Sequence, residues 1–353
     1  MKVLVGMSGG IDSSAVALRL QREGHEVIGA TMSLYNKDNP ITSRLSGSGC
    51  FTPHVEQTIR EAREVCDRLG IEHIVVDCAK EYERYVLDNF TGEYLEGRTP
   101  NPCVWCNSYI KFGALLRSAR EMGYDFDRYA TGHYVKIVDA GGRLALHVAD
   151  DVKKDQSYFM YRLNQQQLSQ VIFPLGGTTK VENKELGIQN GFFSVEKKES
   201  QDFYSGHYSE LLSIEDREGE IVTRDGKVLG HHKGYWHYTV GQRRGLNISS
   251  SKPLYILELD ALNNKVIAGF KEETQTDTLT AHFMSWMAIE KIDRPIEVKA
   301  KIRSTSAGAD AVVAPLEEGR VRVDFTEKQN SITRGQSVVF YIDNTVIGGG
   351  IIE

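Results

Sequence analysis

A glycine- and serine-rich segment near the start of the chain, Ser8-Gly9-Gly10-Ile11-Asp12-Ser13-Ser14, sets the strongest condition on the fold. It follows an apolar run at residues 2–5 that predicts a β-strand, and it precedes residues 15–20, whose apolar spacing predicts a helix. Glycines let the backbone approach a phosphate closely, serine hydroxyls donate hydrogen bonds, and the N–H groups and dipole of a helix N-terminus attract anionic oxygens. The segment therefore predicts a phosphate-binding loop suited to pyrophosphate.

The same loop disfavours two common kinds of phosphate site. It lacks the lysine of G-x-x-x-x-G-K-[ST] and does not match G-x-G-x-x-G, so neither a γ-phosphate transferase nor a dinucleotide enzyme is favoured. Asp12 is a candidate catalytic residue and magnesium ligand, although a carboxylate in the first turn of a helix also stabilises the helix dipole without any ligand. A plain turn capped by Ser8 and Asp12 is the competing interpretation, but it explains neither the glycine pair nor the three clustered serines.

Residues 2–135 alternate short apolar runs with helical patterns, which predicts a doubly wound α/β domain with a parallel sheet. Helical spacing over residues 55–69, followed by Gly70 as a stop signal, predicts a helix on one face of that sheet. The polar residues 36–49 predict a mobile loop. The predicted strands occupy residues 2–5, 26–32, 73–77 and 129–132.

In the remainder of the chain, the spacing of apolar and turn residues changes twice. From about residue 205 the segments become shorter and glycine-punctuated, which predicts a small central α+β domain. After about residue 276, segments alternate with period two between turn residues, as in residues 296–302, 321–325 and 337–342, and predict a C-terminal β-barrel. We therefore predict three domains, at residues 1–204, 205–275 and 276–353.

Composition restricts the compartment and the partners. Five cysteines, an odd number, in a chain without an export signal or an apolar run of about 18 residues argue against a disulfide framework and a membrane span, and predict a cytoplasmic protein. A net charge of −6 disfavours broad nucleic-acid binding, so any RNA contact requires local basic patches. Clusters with aromatic residues nearby (Tyr158, Tyr235, Trp236) predict such a face, although each cluster alone also fits a solvated loop. The clusters are Lys153-Lys154, Lys197-Lys198, His231-His232-Lys233 and Arg243-Arg244.

The S-G-G-x-D-S run resembles the PP-loop of ATP pyrophosphatases, enzymes that cleave ATP to AMP and pyrophosphate. Four further segments resemble, together, the bacterial tRNA-specific 2-thiouridylase (MnmA) family, and the resemblance extends over nearly the whole chain. It implies an enzyme that adenylates the C2 carbonyl of an anticodon wobble uridine and replaces its oxygen with sulfur, using ATP and Mg²⁺, with tRNA and a sulfur-donor protein as partners. The segments are G-R-T-P-N-P-C-V-W-C-N at 97–107, A-T-G-H-Y at 130–134, K-D-Q-S-Y-F at 154–159 and Y-T-V-G-Q-R-R-G-L at 238–246.

The family resemblance also implies individual contacts. Met32 and Gly132 fall near the adenine and ribose of ATP, and both lie beyond the carboxyl ends of predicted parallel strands, where open α/β sheets bind ligands. Arg303 falls where the family has an Arg-Tyr pair, but Ser304 replaces the tyrosine here. The implied ATP contacts are Gly6, Met7, Ser8, Gly9, Gly10, Ile11, Asp12, Ser13, Met32 and Gly132. The implied tRNA contacts are Asn101, Pro102 and Cys103 at the flipped base, with His133, Lys154, Asp155, Gln156, Arg303 and Gln336 elsewhere.

The sulfur chemistry departs from the family pattern. The resemblance assigns the nucleophile to Cys106, but the expected second cysteine is Tyr204, and Cys103 stands where the family often has Asp. In one alternative, one of Cys103 and Cys106 carries the persulfide and the other is the resolving thiol, since C-x-x-C spacing permits a disulfide between them. In the other, they ligate an iron–sulfur cluster with Cys50 or Cys78.

The sequence also suggests structural roles for some cysteines and cationic partners for others. Cys66 lies on the apolar stripe of its helix and is predicted to be a core thiol. Cys103 and Cys106 lack the second C-x-x-C that a structural zinc site needs. Lys111 and Arg98 are candidates for the cation that lowers a thiol pKa. Two rival functions remain open: a tRNA-binding paralogue or sulfur relay without full thiolase activity, and a PP-loop synthetase acting on a small molecule.

Overall fold

A computed structural model describes residues 1–35, 51, 55–192, 204, 208–212 and 214–353. The predicted loop at 36–49 and Cys50 lie outside these residues. The first part of the chain alternates strands and helices. Its elements are β1 (Lys2–Gly6), α1 (Ile11–Arg22), β2 (Glu26–Ser33), α2 (Val55–Leu69), β3 (Glu72–Asp77), α3 (Ala79–Tyr82), α4 (Asp88–Leu95), α5 (Pro102–Trp105), α6 (Leu115–Glu121), β4 (Arg128–Ala130), β5 (Lys136–Asp139), β6 (Leu144–His147), α7 (Gln165–Gln170), β7 (Val171–Ile172) and α8 (Lys180–Gln189).

Five of these strands form one parallel sheet in the order β3-β2-β1-β4-β7. The central strand β1 is apolar because both of its faces are covered, and Val3, Leu4 and Val5 are all fully buried. Parallel pairing brings the carboxyl ends of β1, β2 and β4 to one edge. The predicted doubly wound sheet is therefore confirmed, and the segments that follow these three strands converge there.

Helix α2 packs closely on the sheet and confirms the core role predicted for Cys66. A methyl group added at Gly29 in β2 would lie 2.5 Å from the Cys66 sulfur, so the helix approaches the strand as closely as a glycine permits. Cys66 is fully buried within the apolar cluster between α2 and the sheet. The predicted helix over residues 55–69 has these bounds in the structure.

Two segments of π-helix interrupt the α-helical region. Residues Glu83–Leu87 connect α3 to α4, and Cys106–Ala114 connect α5 to α6. A π-helix widens the turn, and such segments occur frequently at functional sites. Neither segment was predicted from the sequence, and apolar spacing does not distinguish the π-helical from the α-helical hydrogen-bonding pattern.

The central part holds a four-stranded mixed sheet in the order β10-β11-β8-β9, in which β8 and β11 run parallel. With the short helix α9 (Ser209–Leu212), it agrees with the predicted small α+β unit. Its strands are β8 (Gly219–Val222), β9 (Val228–His232), β10 (Tyr255–Asp260) and β11 (Lys265–Gly269).

Six antiparallel strands close into the predicted C-terminal barrel in the order β12-β15-β14-β13-β16-β17, with β12 also pairing β17. The hairpin β5–β6 of the first part extends this sheet, since His147 pairs Thr345 in β17. The barrel sheet is therefore extended by two strands from residues 136–147, which the sequence did not predict. The barrel strands are β12 (Gln275–Trp286), β13 (Ile296–Lys301), β14 (Ala309–Pro315), β15 (Val321–Asn330), β16 (Ser337–Ile342) and β17 (Thr345–Ile352).

Short 3₁₀ turns complete the described backbone, at Ser157–Met160, Tyr235–His237, Lys271–Thr274 and Glu317–Gly319. Among the described residues, none of the helices combines the length and apolarity that a membrane crossing requires.

Candidate active site

The loop between β1 and α1 is anchored from both sides. The Met7 N–H donates to the Ala30 carbonyl at 2.8 Å, and the Thr31 hydroxyl donates to the Met7 carbonyl at 2.9 Å, which fixes the loop against β2. The Ser8 N–H donates to the Ser13 hydroxyl at 3.2 Å. Gly10 is the N-cap of α1 and no side chain caps the helix, so the alternative of a turn capped by Ser8 and Asp12 is wrong.

Glycine is required at two positions around this loop. Gly9 has φ of +64°, and a methyl group there would lie 2.7 Å from Glu61 Cβ in α2. A methyl group at Gly132, after β4, would lie 2.7 Å from Asp12 Cβ and 3.0 Å from the Ser13 nitrogen. The loop is therefore held between α2 and the end of β4, with the first N–H groups of α1 available for an anion.

A cavity of about 300 Å³ opens at the carboxyl edge of the sheet. Seven of the predicted ATP contacts line it, whereas Gly9, Gly10 and Ile11 support the loop from behind. Two predicted tRNA contacts, His133 and Gln156, line it as well. The predicted ATP contacts in the lining are Gly6, Met7, Ser8, Asp12, Ser13, Met32 and Gly132, and the further lining residues are Ala30, Thr31, Leu34, Thr58, Lys111, Leu115, Tyr129 and Thr131.

Asp12 is bound by a lysine that the sequence did not identify. The ammonium of Lys180, the first residue of α8, lies 2.8 Å from Oδ1 and 2.7 Å from Oδ2 of Asp12. The Tyr134 hydroxyl donates to Oδ1 at 2.8 Å, and the Asn183 amide donates to that hydroxyl at 3.0 Å. Lys180 therefore competes with any metal cation for both Asp12 oxygens, and the role of Asp12 as a magnesium ligand stays a prediction. The capping pattern Thr179-x-x-Glu182 marks the start of α8, but no sequence signal joins Lys180 to Asp12.

His133 is held neutral at the cavity wall. Its ring contacts those of Phe112 and Phe173, with centroid distances of 5.8 and 6.3 Å, and its Nδ1 is 2.6 Å from the Thr131 hydroxyl oxygen. Burial, and then the charge of Lys111, lower its pKa well below the usual 6.5. At neutral pH the imidazole therefore carries no charge and offers a neutral hydrogen-bonding edge beside the phosphate loop.

The cysteine-bearing helix begins at a proline, a residue that suits the first position of a helix. Pro102 opens α5 after Asn101, Cys103 is exposed, and Cys106 is 9% exposed at the start of the π-helical segment. Burial raises the pKa of the Tyr129 hydroxyl, and the nearby thiols of Cys78 and Cys106, when ionised, raise it further. Both sulfurs therefore lie within electrostatic range of Tyr129.

Tyr129 also contacts the phosphate loop. Its hydroxyl would lie 2.6 Å from a methyl group added at Gly6, the last residue of β1. One side chain thus connects the environment of Cys106 with the first residue of the loop. Lys111, one of the two cations proposed from sequence, lines the same cavity. Arg98, the other, is paired with Glu93 at 2.7 Å and with Glu96, so its charge is neutralised by carboxylates rather than by a thiolate.

The other described cysteines are core thiols. Cys66 and Cys78 are fully buried, and burial raises the pKa of each to about 12. Within the ranges that the structure describes, no three His, Cys, Asp or Glu side chains converge as metal ligands. Cys78 therefore does not complete a cluster site with Cys103 and Cys106, and the alternative with Cys50 lies outside the described residues.

The predicted tRNA contacts fall into two groups. Asp155 and Gln156 lie near the cavity, where the Gln156 side chain accepts from the Tyr134 N–H at 3.0 Å, and Lys154 precedes them. Arg303 and Gln336 lie in the barrel. The Gln336 amide donates to the carbonyls of Thr99 and Pro100, both at 3.0 Å, and so holds the segment that leads into Asn101 and α5.

The aromatic part of the predicted RNA face is wrong. Tyr158 is 2% exposed, and Tyr235 and Trp236 are each 6% exposed, so their rings belong to the core and cannot stack on bases. Local sequence places these aromatics beside basic residues but does not show which way they point. The predicted cluster Lys197-Lys198 lies outside the described residues.

A parallel α/β domain with an anion-binding loop and a thiol at one edge, joined to a closed antiparallel barrel, defines a nucleotide-binding enzyme of the PP-loop class with appended RNA-modification domains. Three family models match in succession: "tRNA methyl transferase HUP domain" over residues 1–204, "tRNA methyl transferase PRC-barrel domain" over 212–269, and "Aminomethyltransferase beta-barrel domain" over 276–352. Curated relatives named tRNA-specific 2-thiouridylase MnmA are 44% identical in Endomicrobium trichonymphae, 42% in Clostridium botulinum strain Alaska E43 and 41% in Acetivibrio thermocellus. Each alignment covers 100% of this chain and 98–99% of the relative. The chain belongs to the tRNA-specific 2-thiouridylase family, as its sequence motifs predicted.

Proposed function

We propose that this chain is a cytoplasmic, ATP-dependent tRNA uridine 2-sulfurtransferase that converts the anticodon wobble uridine to 2-thiouridine. The observation that carries the proposal is the shared environment of the phosphate loop and Cys106. Tyr129 contacts Gly6 on one side and lies within electrostatic range of Cys106 on the other. An activated base held in the cavity would have its leaving group at the phosphate loop, and the thiols of Cys103 and Cys106, which are not among the lining residues, would reach it from α5 and the segment that follows. Full-length relatives named for 2-thiouridylation support the substrate.

The first step is activation of the carbonyl. ATP lies along the carboxyl edge of the sheet with its phosphates at the N–H groups of α1. The O2 of a flipped uridine attacks the α-phosphorus, and pyrophosphate departs into the loop. Adenylation turns a poor leaving group at C2 into AMP. Magnesium would enter with the phosphate oxygens, since Asp12 is already occupied by Lys180.

Sulfur transfer follows one of two routes, and both use Cys103 and Cys106. In the first, one cysteine carries a persulfide whose terminal sulfur attacks C2 and expels AMP. The other thiolate then attacks the carrier sulfur, which releases the thiouridine and leaves a Cys103–Cys106 disulfide for an external thiol to reduce. A sulfur-donor protein reloads the persulfide.

In the second route, the two cysteines and Cys50 hold an iron–sulfur cluster. The cluster would supply a sulfide nucleophile to the activated base. Cys78 has no place in this proposal, because its neutral, buried thiol does not converge with the other two. This route requires Cys50. A Cys50 variant therefore distinguishes the two routes.

The tRNA contacts follow the same proposal. Asn101, Pro102 and Cys103 hold the flipped base, His133, Lys154, Asp155 and Gln156 contact the tRNA near the cavity, and Arg303 and Gln336 contact it from the barrel. The division into domains at residues 204 and 275 remains a prediction, with the barrel sheet receiving the hairpin β5–β6 from the first domain.

Reconstitution with tRNA tests the proposal. The protein, purified anaerobically and analysed for iron and sulfide, is incubated with ATP, tRNA, a thiol reductant and either inorganic sulfide or a persulfide-charged sulfur-donor protein. The 2-thiouridine formed is measured by mass spectrometry of nucleosides. Cys106→Ser should abolish thiolation while keeping tRNA-dependent ATP–pyrophosphate exchange. Cys66→Ala, which removes a core thiol away from the cavity, is the matched control and should retain thiolation.

The rival functions give different results in the same assay. A small-molecule synthetase would exchange pyrophosphate without tRNA. A non-catalytic paralogue would bind tRNA but form no thiouridine in a competent mixture. Because two family descriptions name methyl transfer, methylated nucleosides are measured as well, and their formation in place of 2-thiouridine would contradict the proposal.

A further inference from the structure

Three aromatic rings stack on the outer surface of the cysteine-bearing helix. Trp105 and Tyr109 lie one helical turn apart, with ring centroids 5.7 Å apart and planes at 14°. Tyr85, from the other π-helical segment, stacks on Tyr109 at 4.6 Å and 7°. We refer to Trp105, Tyr109 and Tyr85 as the aromatic ladder. Tyr109 is 37% exposed, and the sequence had assigned no role to any of the three.

An arginine lies at each end of the ladder. The guanidinium carbon of Arg162 is 4.8 Å from the Trp105 centroid, and that of Arg84 is 5.2 Å from the Tyr85 centroid. Neither arginine forms an ion pair with a carboxylate in the described part of the chain. In a protein with a net charge of −6, two guanidiniums without carboxylate partners around an aromatic stack favour an anionic ligand.

A strained phenylalanine extends the same surface onto the barrel. Arg162 donates from Nη1 to the Phe283 carbonyl at 3.0 Å. Phe283 has φ of +46° and is 67% exposed, at an irregularity in the pairing of β12 with β17. The left-handed region is unfavourable for a bulky residue, and strain of this kind concentrates at binding sites. The ring contacts His282, at a centroid distance of 4.5 Å, but most of it faces solvent and is accessible to a contact outside the chain.

We propose that the aromatic ladder, Arg84, Arg162 and Phe283 form a docking surface for single-stranded RNA, namely the nucleotides that flank the target uridine. The proposal rests on the proposed function, because the exposed Cys103 lies two residues before Trp105 and marks where the flipped base enters. Unstacked bases lie on the Phe283 ring and on the guanidinium planes, and phosphates pair with Arg84 and Arg162. Aromatic and arginine residues also favour protein partners, but guanidiniums at both ends of a stack beside the base-entry point favour a nucleic-acid strand.

Binding to a tRNA anticodon stem-loop tests the surface without requiring turnover. Arg84→Gln removes one charge, and Phe283→Asn removes the ring while keeping a residue that accepts the left-handed conformation. The controls are Arg224→Gln, an exposed arginine in the turn between β8 and β9, and Leu262→Asn, 95% exposed in the turn after β10. Each test variant should raise the Kd for the stem-loop roughly tenfold, and Arg84→Gln should lower the salt slope by about one. Both controls should bind RNA like the parent, and ATP affinity should be unchanged in all four.

Substituted RNA makes the test specific. Abasic residues beside the target should weaken binding to the parent protein and should weaken it no further in Phe283→Asn. Unchanged RNA affinity in both test variants overturns the proposal. Normal RNA affinity with impaired sulfur delivery from a donor protein also overturns it and assigns the surface to that protein. If the variants lose RNA affinity while the parent forms no 2-thiouridine, the surface stands and the proposed function fails.

Discussion

Lys180 and Asp12, 168 residues apart, form an ion pair beneath the phosphate loop in which one ammonium contacts both carboxylate oxygens, at 2.8 and 2.7 Å. The lysine side chain is 11% exposed and the carboxylate 31% exposed. A carboxylate in the first turn of α1 would otherwise repel the phosphates that the loop has to bind. The pair neutralises that charge and also joins α8 to α1.

Replacing Lys180 should therefore weaken nucleotide binding, because the negative charge of Asp12 would then repel the phosphates. We expect Lys180→Met to weaken ATP binding about tenfold and to lower the free energy of unfolding by about 1–2 kcal/mol, since it leaves a partly buried carboxylate without its cation. The double variant Asp12→Asn/Lys180→Met should recover most of the ATP affinity. Isothermal calorimetry and denaturant unfolding measure both quantities.

The surface pair Lys2–Glu26 supplies the control. Its side chains are 38% and 67% exposed, so Lys2→Met should leave both the stability and the ATP affinity close to those of the parent. A double variant that binds ATP as poorly as Lys180→Met would instead mean that the lysine binds phosphate directly.

Gly132 should tolerate no side chain. A methyl group would meet Asp12 Cβ at 2.7 Å and the Ser13 nitrogen at 3.0 Å, so Gly132→Ala must push the loop away from the end of β4. We expect at least a tenfold loss of ATP affinity. Gly92→Ala in α4, where a methyl group meets nothing within 4 Å, is the control and should stabilise the protein by about 0.5–1 kcal/mol. Equal ATP affinity in the two variants would contradict the proposed position of the nucleotide.

Acid should destabilise the protein partly through His133. Its pKa is lowered in the folded state, so below about pH 6.5 the unfolded chain takes up a proton that the folded chain does not, and stability falls as pH falls. His73 and His232, whose pKa values burial also lowers, contribute in the same direction. We expect His133→Phe, packed beside Phe112 and Phe173, to reduce the pH slope by up to about 1.4 kcal/mol per pH unit. Unfolding curves at pH 5 to 7 that keep the parent slope would contradict this assignment.

The cysteines should separate into two functional groups. Cys78→Ala should keep thiolation and lose about 1 kcal/mol of stability, because a buried, neutral thiol is replaced by a smaller side chain. Cys103→Ser and Cys106→Ser should each abolish 2-thiouridine. Cys50→Ala decides between the sulfur routes: an iron-free protein that thiolates normally requires the two-thiol route, whereas joint loss of iron and activity requires the cluster. Activity lost in Cys78→Ala at full stability would overturn the grouping.

We expect Gln336 to affect tRNA binding indirectly, by fixing the position of Thr99 and Pro100. Gln336→Ala removes two hydrogen bonds to the Thr99 and Pro100 carbonyls and frees the approach to α5. We expect the KM for tRNA to rise several-fold while the Kd for ATP stays constant. Gln167→Ala, which releases the carbonyls of Ser108 and Phe112 on the same helical segment, is a control for general loosening. A rise in the Kd for ATP in Gln336→Ala would mean that the contact supports the whole site.

Local patterns in the sequence predicted the features that depend on neighbouring residues. The loop after β1, the bounds of α2 and the core position of Cys66 all follow from spacing within one element. Features that depend on distant residues were missed. Nothing in the sequence joins Lys180 to Asp12, and apolar spacing does not distinguish a π-helix from an α-helix. The buried rings of Tyr235 and Trp236 show that aromatic residues near basic ones need not face solvent.

The hairpin β5–β6 can complete its pairing only late in the synthesis of the described chain. Its strand β6 pairs with β17, the last strand of the chain, and the Val148 N–H donates to the Asn344 carbonyl at 3.0 Å. Tyr158, in the same region, donates to the Ser337 carbonyl at 2.8 Å. In a nascent chain, this strand edge and the Tyr158 ring therefore stay without their partners until residues 337–345 have been synthesised. A fragment that ends at residue 204 would expose them permanently, and we expect it to aggregate rather than to accumulate as a folded domain.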